Sequence, residues 1–220
     1  MNLKQIAVYG AGGFGRELAW LIQSCNNVEH YYELVCFIDD DEKLHGSIIN
    51  ELPVFSLMQY HAAFPDAMIA CGVGIPKARV NVYNKVSDMG LNFETIIHPR
   101  VERSKWIEVG KGTIICAGSV LTTNITIGRQ VHINIDCTIG HNVSIGDFTT
   151  LAPGVHVSGH VHIGSRVYIG TGAVFVHGTE GEPLIIGDSV TVGAGACVTS
   201  SIEAGQMVVG VPARPMDHPR

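Results

Sequence analysis

The chain has 220 residues, 46% of them hydrophobic and 15% charged, with 26 glycines and a formal net charge of −6. At roughly 100 to 200 residues per domain this is one or two compact domains with a full core, and too apolar a chain for disorder. The acidic balance and the lack of any Lys/Arg run argue against a nucleic-acid or anionic-membrane partner. No uncharged apolar stretch of about 18 residues offers a membrane span. The opening MNLKQIAVYGAGG is too short in its apolar run for a signal peptide, so a cytoplasmic location is expected. Six scattered cysteines, with no C-x-x-C pair, are expected to be reduced and mostly buried.

In chain order, β-rich runs at residues 5–9, 34–38, 67–71 and 93–97 alternate with predicted helices at 14–24, 56–63 and 77–89. Such alternation predicts a small parallel sheet with crossover helices over residues 1–95, a Rossmann-like α/β domain. Its first turn, Gly10-Ala11-Gly12-Gly13-Phe14-Gly15, fits G-x-G-x-x-G between a strand and a helix. Glycines there let the backbone approach a pyrophosphate, and the helix N-terminus adds amide donors. The acidic run Asp39-Asp40-Asp41 falls at the next strand end, where a ribose would sit in a dinucleotide fold. About 95 residues make only half of such a fold, which weakens an NAD-dependent oxidoreductase reading.

From Trp106 a different period takes over. Stepping by six from Val109 gives Ile115, Leu121, Ile127, Ile133, Ile139, Ile145, Leu151, Val157, Ile163, Ile169 and Phe175. A run of this kind arises by chance roughly once in 10,000 trials and predicts a β-solenoid over residues 96–205, each hexad a short strand and a turn with the marked side chain pointing inward. The phase resumes at Ile186, Val192 and Val198, so a five-residue insertion near Gly178 to Pro183 must leave the prism as a loop. Residues 206–220 form a tail carrying GVPAR.

His141 stands between inward-facing Ile139 and Val143, so its ring should project from a turn. His141 and His177 are two coils apart at about 18 residues per coil. At roughly 4.8 Å per coil that places them about 10 Å from one another, too far to share a zinc without a neighbouring chain. His132, His156 and His162 share a phase but fall on three faces, so no metal is expected. Cys137 is the sole candidate for a covalent acyl intermediate.

The hexads resemble the transferase hexapeptide repeat. More narrowly, YGAGGFG (from Tyr9), FIDDD (from Phe37), CGVG with Arg79, IGHNVSIGDF (from Ile139), APGVHVSGHVHIG (from Ala152) and GVPAR (from Gly210) resemble the sialic acid O-acetyltransferase type of sugar acyltransferase. This group includes N-acetyltransferases acting on nucleotide-linked 4-amino-4,6-dideoxy sugars such as bacillosamine and perosamine. PLIIG (from Pro183) looks most like the perosamine branch.

The resemblance implies a left-handed parallel β-helix, a homotrimer, acetyl-CoA as co-substrate and a nucleotide-activated amino sugar as acceptor. It implies His141 as general base with Asn142 as its neighbour, where relatives often carry Glu or Asp; Asp136 and Asp147 are open alternatives as supporting carboxylates. It assigns Thr150, Thr171, Gly193, Ala194, Gly195 and Arg214 to CoA, and Gly12, Gly13, Phe14, Asp39, Asp40 and Gly72 to the nucleotide sugar. The expected reaction is single-displacement N-acetylation of a 4-amino sugar, with sugar O-acetylation as the nearest alternative. A non-catalytic sugar-nucleotide binding protein is a more distant one.

Overall fold

The computed structural model describes residues 3–216, so the last four residues of the tail lie outside the described residues. The chain clusters into two units. One holds the chain up to Gly74 together with Ala78–Pro99, and the other holds Ile75–Lys77 and the chain from Arg100 onward.

The first unit contains β1 (Lys4–Tyr9), α1 (Gly13–Asn26), β2 (Tyr32–Ile38), β3 (Ile48–Ile49), β4 (Leu52–Phe55), α2 (Leu57–Ala63), β5 (Met68–Cys71), β6 (Asn92–Phe93) and all but the first two residues of α3 (Pro76–Asp88). The sheet order is β3-β4-β2-β1-β5-β6, parallel except for the β3–β4 pair. Ile6, Ala7, Val8 and Tyr9 of β1 are all buried, as expected of a central parallel strand covered on both faces. Helix α1 buries Gly15, Leu18, Ala19, Leu21 and Ile22, a stripe at helical spacing. Helix α2 opens with a capping box between Ser56 and Gln59, so Ser56 precedes the helix instead of starting it.

Two features depart from the sequence expectation. The β3–β4 hairpin turns through Asn50 and Glu51, both at positive φ (45° and 68°), as a two-residue hairpin turn requires. Glu occupies a place where Gly is usual, so the pattern lacks its common signature. The expected strand 93–97 is broken: the Glu94 amide donates to the Ile69 carbonyl, and Asn92–Phe93 and Ile96–Ile97 become separate strands.

The turn after β1 is built by close backbone approach. A Cβ on Gly15 would collide with the Gly10 carbonyl oxygen, and one on Gly72 would stand 2.6 Å from the Gly15 Cα. At Gly12 and Gly13, by contrast, a Cβ would meet nothing within 4 Å.

The second unit is a three-faced parallel β-helix. One face stacks Ile115, Ile133, Leu151 and Ile169 in register, the next Leu121, Ile139, Val157 and Phe175, and the third Val109, Ile127, Ile145 and Ile163. Of these twelve only Val109, in the first coil, is not fully buried. Residues two positions earlier, such as Val131, Cys137 and Val143, are buried as well, because side chains two apart on a strand share a face. Every hexad also carries one residue at positive φ, from Gly112 through Asn124, Gln130, Asp136, Asn142 and Phe148 to His160, Arg166 and Gly172. These are the corners of the prism. The insertion leaves at the expected place. Gly178 donates to the Gly159 carbonyl before the loop and Leu184 donates to the His160 carbonyl after it, so the register survives on both sides. The tail folds back as an antiparallel pair, Val209 against Arg214.

Gly15→Ala should cost the first unit about 3 kcal/mol or more in a urea titration, through backbone that cannot move apart. Gly13→Ala, where the added methyl has room, should be neutral or stabilise by about 0.5–1 kcal/mol. Equal losses in the two variants would show that the turn is not held by this contact.

Candidate active site

His141 lies on the corner between the Ile139 and Ile145 faces, in the turn from Thr138–Ile139 to Ser144–Ile145. It is exposed, as the hexad phase predicts. His160 and His177 share this corner on the following coils. The three rings meet edge to face: centroids are 5.0 Å apart for His141–His160 and 5.5 Å for each of the other two pairs. The expected 10 Å gap between His141 and His177 is therefore wrong. The residue between them in the column is Gly159, and a Cβ there would lie 2.7 Å from His141 Nε2 and 3.0 Å from His177 Cε1. The rings lean over the bare Cα and fill the space a side chain would take. His160, at 19 residues from His141 instead of 18, was not legible from the period; it occupies the left-handed corner position itself, with φ 54°.

Asn142 does not contact His141 through a side-chain hydrogen bond. Its Nδ2 donates to Nε2 of His160 at 3.3 Å, and its Oδ1 accepts from Asn124 Nδ2 at 3.2 Å, forming a ladder up the corner. With φ 56° it holds a conformation that Asn tolerates better than most residues. Neither candidate carboxylate supports His141. Asp147 is tied to Arg129 on another corner, through the backbone amide and the guanidinium, both at 2.9 Å. Asp136 stands beside Gly118 on the corner between the Ile133 and Ile139 faces. Cys137 points into the core, its Sγ 3.3 Å from the Ala152 carbonyl oxygen, and burial pushes its thiol up to about 11.

Most residues assigned to CoA gather on a different corner. Thr171 and Ala194–Gly195 stack between the Ile133 and Ile139 faces, with the Gly195 amide donating to the Thr171 carbonyl at 2.8 Å. Gly193 packs beneath Val209, which pairs with Arg214, and the Ala213 amide donates to the Cys197 carbonyl. Arg214 is exposed at that end. Thr150 stands apart: it lies on the Ile133 face between His132 and Tyr168 and is only 3% exposed, so it does not line either corner. Within one chain the base candidate and the CoA candidates do not converge.

In the first unit, Gly12 and Gly13 are exposed at the N-terminus of α1, and Phe14 is half-buried. A cleft of about 350 Å³ is lined by Tyr9, Gly10, Asp39, Asp40, Asn81 and Lys85 among others. Asp39 has a structural task not read from sequence: one oxygen accepts from the Ala11 amide at 2.8 Å and the other from the Asp41 amide at 2.9 Å, fixing the glycine turn. Asp40 accepts from the Tyr9 hydroxyl at 2.7 Å and pairs with Lys85 at 2.9 Å. Partial burial works to raise the Asp40 carboxyl, but these two partners prevail and hold it below its ordinary value. Gly72 is a packing residue, buried against Gly15. Arg79 is fully buried and donates to the Val73 and Gly74 carbonyls, pinning the loop after β5; burial lowers its guanidinium to about 10, still charged at neutral pH.

A Rossmann-like sheet with a glycine turn, joined to a β-helix that carries an exposed imidazole on its corner, defines a two-unit hexapeptide-repeat acyltransferase. The PglD N-terminal domain family matches residues 5–86. The chain is 36% identical to GDP-perosamine N-acetyltransferase of Escherichia coli O157:H7 over 222 residues, 98% of this chain and 97% of that protein. It therefore belongs to that family of sugar N-acetyltransferases, and its β-helix is left-handed. WeeI from Acinetobacter baumannii AYE superposes with a TM-score of 0.89 at 34% identity, covering 97% of this chain and 100% of that one. The acetyltransferase domain of PglB from Neisseria gonorrhoeae FA1090, in complex with acetyl coenzyme A, gives a TM-score of 0.69 at 30% identity, covering 98% and 100%. Among the described residues no helix is long and apolar enough to cross a membrane.

Gly159→Ala tests the corner. The added methyl must displace the His141 and His177 rings, so acetyl transfer should fall by roughly tenfold or more, the scale expected when reacting groups shift by about 1 Å. Thermal stability measured alongside separates this from unfolding, and unchanged activity in a folded variant would mean that the ring cluster has no part in the reaction.

Proposed function

We propose that the protein transfers an acetyl group from acetyl-CoA to the 4-amino group of a nucleotide-linked 4-amino-4,6-dideoxy sugar, with GDP-perosamine the first acceptor to test. The observation that carries this reading is the 36% identity to GDP-perosamine N-acetyltransferase through both units, together with an exposed His141 on the β-helix corner. The first unit takes the nucleotide at the glycine turn, where Gly12 and Gly13 leave open space that the protein's own packing does not need.

His141, with a neutral imidazole, accepts a proton from the amine as its nitrogen attacks the thioester carbonyl. The proton then passes to the departing sulfur, so CoA leaves as a thiol. Backbone amides of the corner turns are suited to the developing oxyanion. A single displacement fits because the amine is itself a competent nucleophile, while Cys137 is buried and held as a thiol. The working enzyme is a cytoplasmic homotrimer. His141 and the Thr171–Ala194–Arg214 strip occupy different corners of one chain, so a second copy that brings its own strip to His141 completes a groove and excludes water from the thioester.

His141→Ala should lower kcat by about 10² to 10⁴-fold with acetyl-CoA affinity nearly unchanged. Activity within about threefold of wild type would remove His141 from the mechanism.

Co-assembly of His141→Ala with Ala194→Trp tests the shared groove. Both variants are expected to be inactive alone, and mixed trimers should recover activity because some interfaces hold one intact copy of each residue. No recovery in verified mixed trimers, or a fully active monomer in analytical ultracentrifugation, would overturn the arrangement.

A further inference from the structure

The corner that carries His141 has the composition of a metal site. One ring nitrogen from each of His141, His160 and His177 lies within 4.8 Å of the other two, and no Asp, Glu or Cys joins them among the described residues. We propose that these three imidazoles bind a divalent transition ion, Zn²⁺ first among them, and that the bound ion reversibly blocks the enzyme. Binding stands on the ring geometry alone; the block rests on the role proposed for His141.

A tetrahedral zinc with Zn–N near 2.0–2.1 Å sets its ligand nitrogens about 3.4 Å apart, so no pair need close by more than roughly 1.4 Å. His141 and His177 are exposed on turns, where side-chain rotation supplies that movement. His160 is half-buried and already oriented. Nδ2 of Asn142 can only donate, so the bond it makes goes to a lone pair on Nε2 of His160, the kind of nitrogen a metal takes. That bond is long, 3.3 Å, and is readily exchanged for a metal–nitrogen bond. Three imidazole ligands without a carboxylate suit Zn²⁺, Cu²⁺ or Ni²⁺ and not Mg²⁺ or Ca²⁺. The fourth position stays open to water. An ion held there occupies the His141 lone pair that would otherwise receive the amine proton.

The test is calorimetric titration of chelator-treated, full-length protein with zinc chloride, in the presence of excess Mg²⁺. One ion per chain should bind saturably. His160→Asn, which keeps a residue suited to the left-handed corner, and His177→Ala, at an exposed position, should each weaken Zn²⁺ by at least about tenfold. His156→Ala and His162→Ala, on the outer faces, should leave it unchanged. Acetyl transfer should fall as the site fills and return with EDTA. The site is overturned if wild type shows no saturable binding, or if both triad variants bind as wild type does. Saturation of the site with activity intact would support the site and overturn its blocking action.

Discussion

Each coil of the β-helix must turn three corners while staying in register with the coil below, and one left-handed residue per hexad makes this possible. Eleven consecutive corners, from Gly112 to Gly172, obey the rule at a spacing of six. Placing an L residue with a side chain there costs about 1–2 kcal/mol unless it is Asn or Asp, and the core stack must outweigh that. A fully buried Ile, Leu or Val contributes roughly 1.5–3 kcal/mol, and from Ile115 to Ile169 each hexad buries one such residue plus a second residue two positions before it. The corner is thus set by the backbone and the core, leaving the residue just before the left-handed one free to vary. His141 holds that place. Its projection from the prism is a consequence of Asn142 being at positive φ and Ile139 and Val143 being inside.

The same separation between residues required by the backbone and residues left free orders the first unit. Gly10, Gly15 and Gly72 lack side chains because the start of α1 passes directly over the ends of β1 and β5. This contact sits where the sheet order reverses around β1, the usual crevice for a ligand in open parallel sheets. Gly12 and Gly13 face outward with empty space above them, so the packing of the turn does not itself require them to be glycine. Asp39 belongs with the first group, since both of its oxygens are already accepting amides of the turn and its neighbour.

The parts legible in the sequence were those with a strict period. The hexads marked the three faces and the point where the loop leaves, because the marked positions stack large apolar side chains in the bore, whereas the end of the β-helix was not marked: Met207–Val209, expected in the tail, pairs in parallel with Thr191–Val192. The helices of the first unit were legible to within two or three residues at each end from their apolar stripes. The β3–β4 hairpin was not, because Asn50-Glu51 lacks the glycine that marks such turns. The histidine cluster was hidden for another reason. A period places Cα atoms, and the distance between His141 and His177 is set by how far two long side chains lean over Gly159. His160 enters from one position off the column, which no spacing rule anticipates.

The presence of Asn at position 142 also bears on how the corner works. A glutamate there would sit in a left-handed conformation that suits it less well, and would add a charge beside three imidazoles. Asn142 instead uses both ends of its amide, accepting from Asn124 below and donating to His160 above. The side chain thereby fixes His160, and His160 presents its ring edge-on to His141 at a centroid distance of 5.0 Å. Orientation of the exposed His141 ring is transmitted through a second ring rather than by a carboxylate on its own nitrogen. The corner gives His141 a packed neighbouring ring in place of a carboxylate, and a set of three imidazoles with no acidic group beside it has the donor chemistry of a site for a divalent transition ion.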